Sequence, residues 1–169
     1  MKYYIITVDR NYVPPSPAGW YGHLDRRTVL SGKIRNISRF TLFSLEKHMQ
    51  MVFTDVITFP CFMVSGMIRD VIKKYDPFMR FARVIFYDRE RKQSMAYYIP
   101  FLDRSDLLKK DRFGNPAVER SEIKSRVIME LTDQVSSCVI MRLDLLESIL
   151  RRGAVGIGAG EIQIREGGI

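Results

Sequence analysis

A chain of 169 residues, 46% of them hydrophobic, 11% aromatic and 27% charged, has the make-up of one folded globular domain. That balance excludes a disordered or fibrous chain, and no apolar run reaches the roughly 18 residues of a membrane-spanning helix. Twenty-seven Lys and Arg against 19 Asp and Glu leave a formal charge of +8, which draws anionic partners over about one Debye length, ~10 Å.

Residues 3–8 alternate and are rich in β-branched and aromatic side chains, so the chain is predicted to open with a strand. Asp9 and Arg10 follow in place of a small-residue cleavage site, and the protein is expected to stay in the cytoplasm. Residues 11–25 form a Pro/Gly-rich arm in which Pro14, Pro15, Pro17, Gly19 and Gly22 forbid regular structure. Its Trp20 and Tyr21 either pin the arm to the core or stand out as an anchor for a partner. From Arg26 to Arg39 five cations occur with no acid between them, the pattern of a solvated face. Residues 40–45 and 52–59 read as short strands, the second ended by Pro60.

Ser65 stands where a helix cap belongs, and the helix is predicted to run to Tyr75. Met67, Ile68, Val71, Ile72 and Tyr75 then point inward, with Arg69, Asp70, Lys73 and Lys74 outward. Asp76 and Pro77 stop it. Residues 81–87 and 94–101 are joined by a polar connection too short for a crossover helix, which predicts an antiparallel hairpin. A charged loop over 103–121 follows, with a brief helical turn at Leu107 and Leu108, and then a second strand pair over 126–131 and 138–142. The final helix is expected to be capped by Asp144, to bury Leu145, Leu146, Ile149 and Leu150, and to end at a left-handed Gly153. Residues 153–160 read as that stop plus a flexible turn. Residues 161–165 read as an edge strand open to a partner or to a second copy of the chain. The sum is an α+β fold: a single domain with a mostly antiparallel sheet and two main amphipathic helices.

Chemistry is harder to find. His23 and His48 lie far apart in sequence, and neither Cys61 nor Cys138 has a neighbour at metal-binding spacing, so no metal and no cofactor are expected. The two cysteines sit in apolar surroundings, which suits buried reduced thiols. The glycines at 153, 156, 158 and 160 follow a helix, whereas a dinucleotide site follows a strand and opens a helix. Asp55, Asp70, Asp103, Asp106 and Asp144 are scattered and make no visible acid–base pair. Trp20, Tyr21, Arg26, Arg27, Arg35, Arg89, Arg91 and Lys92 are the candidate partner contacts, chosen for their chemistry and their placement in loops.

The segments MKYYII at 1–6, WYG at 20–22, VFTDVI at 52–57, MVSGMIRDVIKKYDP at 63–77 and VIMRLDLLESILRRG at 139–153, in this order, resemble the type-eleven immunity family of bacterial polymorphic-toxin systems. The resemblance covers nearly the whole chain and is strongest in the two helix segments. It implies a cytoplasmic, non-enzymatic protein that binds and neutralises a cognate protein toxin, and it supplies no catalytic residues. A basic exterior fits a toxin with an acidic surface, because complementary fields speed encounter. The alternative is a basic nucleic-acid-associated protein using the same surfaces, without a recognisable nucleic-acid-binding motif. A hydrolase built on Cys61 or Cys138, with His23 or His48 as base, is the third reading.

Overall fold

A computed structural model describes residues 1–105, 109–110, 114, 116–133 and 136–165, with 109–110 described by backbone alone. The turn expected at Leu107 and Leu108 lies outside these residues. In chain order the elements are β1 (Tyr3–Val8), α1 (Arg26–Leu30), a 3-10 turn (Lys33–Asn36), β2 (Leu42–Ser44), β3 (Val56–Ile57), β4 (Met63–Ser65) and α2 (Gly66–Tyr75). Then come β5 (Phe81–Asp88), β6 (Gln93–Pro100), β7 (Arg104–Ser105), β8 (Lys109–Lys110), β9 (Pro116–Glu119) and α3 (Arg120–Ile123). The chain finishes with β10 (Ile128–Thr132), β11 (Ser137–Arg142), α4 (Leu143–Leu150), β12 (Ile157–Glu161) and β13 (Gln163–Arg165). The fold is a single α+β domain with mixed, mostly antiparallel sheets, as its sequence predicts. Within it the chain forms two compact units, one from Met1–Ile6, Leu102–Gly153 and Gly158–Ile169, the other from Thr7–Phe101 and Ala154–Ile157. Among the described residues no helix is long and apolar enough to cross a membrane.

The first unit holds a five-stranded sheet in the order β12-β1-β11-β10-β7 and a three-stranded one in the order β13-β9-β8. The β10–β11 hairpin and the β1–β11 pair are antiparallel; β10–β7 and β13–β9 are parallel, a feature that local patterning did not disclose. Tyr3, Val118, Ile123, Met129, Leu131, Ile140 and Ile162 form the core. Helix α4 departs from expectation at both ends. It begins at Leu143, whose amide donates to the carbonyl of Lys2 at 3.0 Å, so one of the free donors at its start has a backbone acceptor. Asp144 therefore lies inside the first turn, held by Arg142 Nε at 2.6 Å and Nη2 at 2.7 Å. Leu145, Leu146 and Ile149 are buried, but Leu150, at the outer margin of that stripe, is 48% exposed. Gly153 ends the segment with φ +73°, as predicted. Gly156, in a bend with φ +72°, fits the expected turn, but Gly158 and Gly160 are a correction: they lie in strand β12 at the margin of the sheet, where small residues lose few packing partners.

The second unit is a five-stranded sheet in the order β2-β5-β6-β4-β3, with β2–β5 parallel and the other pairs antiparallel. The predicted hairpin is present, in register from Phe81 opposite Pro100 to Asp88 opposite Gln93. Ala82, Val84 and Phe86 turn to the core, which they share with Leu24, Met63 and Tyr97. The ring of Tyr97 is buried, so its phenol is pushed well above its ordinary pKa, and the hydroxyl donates to the Thr54 carbonyl at 2.7 Å. Helix α2 matches its reading closely. Ser65 Oγ accepts from the Ile68 amide, and Ile68, Val71 and Ile72 are buried, each contributing roughly 1.5–3 kcal/mol of hydrophobic stabilisation.

One other reading of this unit needs correction. The strand expected over 52–59 shrinks to Val56–Ile57, because Thr54 Oγ1 turns to the Val56 carbonyl and the Asp55 amide is given to Val155. Along the basic stretch that starts at Arg26, the residues Arg27, Lys33, Arg35 and Arg39 are exposed as expected, and its start is helical, with Asp25 Oδ1 accepting from the Thr28 amide at 2.9 Å to start α1. The arm is ordered, tied to the chain at 44–52 by bridges Val13–Met51 and Pro17–Leu45.

Candidate functional site

Six cationic side chains line one groove of the second unit: Arg35, Arg39, Arg69, Lys73, Arg80 and Arg83. The groove has a volume of about 700 Å³, and its other lining residues, Phe81, Tyr98 and Phe101 among them, include no Asp, Glu, His or Cys. Each cation arrives by a local rule. Helix α2 buries Ile68, Val71 and Ile72, which leaves Arg69 and Lys73, one turn apart, on a neighbouring face. Strand β5 alternates, so Arg83 lies on the face opposite buried Ala82 and Val84, and the hairpin register sets it across from Tyr98. Arg80 immediately precedes β5, while Arg35 comes from the 3-10 turn and Arg39 from the segment after it.

Aromatic rings hold two of these guanidinium groups. Arg69 Cζ stands 4.1 Å from the centre of the Tyr98 ring, and Arg35 Cζ stands 5.4 Å from that of Phe101. A Cβ on Gly66, the first residue of α2, would meet Tyr98 Cε2 at 3.7 Å, an ordinary van der Waals contact. Arg69 is paired with Asp70 at 2.6 Å. Among the described residues, Arg35, Arg39, Lys73, Arg80 and Arg83 have no ion pair, and Arg83 Nε is buried without a hydrogen-bond partner. Such an arrangement concentrates positive charge in one groove.

Of the eight candidate contacts, Arg35 is brought into the groove. Trp20 packs on the core with its ring centre 5.0 Å from that of Phe59, while neighbouring Tyr21 is 75% exposed. Arg26 and Arg27 open α1. Arg89 and Lys92 stand exposed in the β5–β6 turn, with Lys92 at φ +52°. Arg91 is engaged in structure: Nη1 donates to the Met51 carbonyl at 2.6 Å and Nη2 to that of Met49 at 2.9 Å. Arg39, Arg69, Lys73, Arg80 and Arg83 were missed as contacts. The i, i+4 spacing of Arg69 and Lys73 was visible, but nothing local set them beside Arg83.

Neither Cys61 nor Cys138 is in a disulfide; Cys61 is buried, and burial followed by the charges of Glu130 and Asp133 raises Cys138 to about 11. Among the described residues no cluster of three or more His, Cys, Asp or Glu could hold a metal ion. Compared with known proteins, the chain matches no family model, and no curated protein matches it.

Proposed function

We propose that the protein is a non-enzymatic binder whose basic groove receives the acidic surface of a protein partner, and that this partner is a toxin which it neutralises in the cytoplasm. The observation that carries the reading is the groove, where six cations meet with no acid in the lining and five of them lack an ion pair among the described residues. Their mutual repulsion is relieved when an anionic surface docks, and the stacked arginines are held ready for it. The toxin follows from the likeness of the helix segments to the immunity family.

Co-expression with the product of the neighbouring gene tests both parts. Growth protection and co-purification are expected, and both are lost when Lys73→Glu and Arg80→Glu are combined. Protection that survives this double reversal removes the groove from the interface, and absence of protection at any expression level removes the toxin. The nucleic-acid alternative predicts instead that binding to random duplex DNA weakens steeply with salt, in proportion to the phosphates neutralised.

A further inference from the structure

We propose that Arg83 is the anchor of the groove, seating one carboxylate of an acidic segment on the protein partner. The inference rests on the acidic-partner reading and adds the residue that reads the partner. Nε–H of Arg83 is a buried charged donor without an acceptor, on a strand fixed in register by its hairpin. A donor of this kind is costly to leave unmade, and of the acceptors open to it an oxyanion bonds it most strongly. Nε is closed to solvent while the side chain as a whole is half-buried, so the guanidinium fork swings toward the groove on docking to grip both oxygens of a carboxylate through Nε and one terminal nitrogen, while Arg35, Arg39, Lys73 and Arg80, without ion pairs among the described residues, draw in neighbouring acids.

Two observations favour an acidic protein over nucleic acid. The rings of Tyr98 and Phe101 already carry guanidinium groups, so they are not free platforms on which bases could stack. Phe40 and Phe78, 80% and 91% exposed, directly adjoin Arg39 and Met79 in the chain, and such apolar side chains find partners on a protein surface.

The test uses the full chain, a labelled oligoglutamate peptide and an oligodeoxynucleotide of equal charge. In ¹H–¹⁵N spectra of the arginine side chains, the Nε–H signal of Arg83, assigned through its own side-chain carbons, should move as the peptide saturates. Arg83→Lys and Arg83→Gln should each weaken the peptide about tenfold or more, because Lys keeps the charge and loses the fork, while Lys73→Gln weakens it about two- to threefold. Peptide binding that leaves the Arg83 signal unmoved overturns the anchor and leaves the acidic-partner reading intact. An equal or stronger response to the oligonucleotide overturns the choice of carboxylate. Oligonucleotide binding with no peptide binding overturns both readings. The wild-type spectrum decides even if a variant fails to fold.

Discussion

At Gly156 the backbone takes φ +72°, and an added Cβ would stand 2.4 Å from Thr54 Cγ2. Gly156→Ala is therefore strained twice and should lower stability by about 2 kcal/mol, read from the urea midpoint. Cys138 behaves differently from an exposed thiol. With its pKa at about 11, its thiolate is scarce at pH 8, and alkylation should run on the order of a hundredfold slower than for free cysteine, accelerating as pH approaches that value. Asp144 sits below the usual carboxylate range, chiefly through its hydrogen bond from Arg142. Its folded pKa is lower than its unfolded one, so its contribution is present above about pH 4 and is lost as pH falls through the folded value. The difference in urea midpoint between wild type and Asp144→Asn should accordingly close in acid.

Among the elements, α2 was legible because its signals are local: a serine before the first turn, apolar residues at helical spacing, and Asp76-Pro77 after the last. The β5–β6 hairpin was legible for the same reason, through alternation and a short polar connection. Strand β3 and the start of α4 were not, because their decisive hydrogen bonds come from residues distant in sequence, Val155 and Lys2. The groove follows the second pattern. Arg69 and Arg83 belong to elements read correctly one at a time, and they become neighbours of Tyr98 only through sheet register and helix packing. Ser65→Ala tests how far the helix supports the groove: it should cost about 1 kcal/mol in unfolding and leave the cation pattern in place.

Across the whole molecule the charge is dispersed, yet six of the 27 Lys and Arg line a single groove. Association with an acidic partner should slow sharply as salt rises while dissociation changes little, a contrast that stopped-flow measurements resolve. The α+β class was legible from segment order, but the division into two units was not. No Pro/Gly-rich linker marks the passage from Phe101 to Leu102, and the second unit is completed by four residues, Ala154–Ile157, that follow the last helix of the first. The Asp55 carboxylate accepts from the Val155 amide at 2.6 Å, and the Asp9 amide donates to Gly156 at 3.0 Å.

Those four residues bear on how the protein is made. Translation delivers every groove cation well before the piece that finishes their scaffold, so a ribosome-bound nascent chain should remain open to protease in residues 7–101 until residue 157 has cleared the exit tunnel. Synthesis itself thus acts as a timer on when the groove gains its finished support.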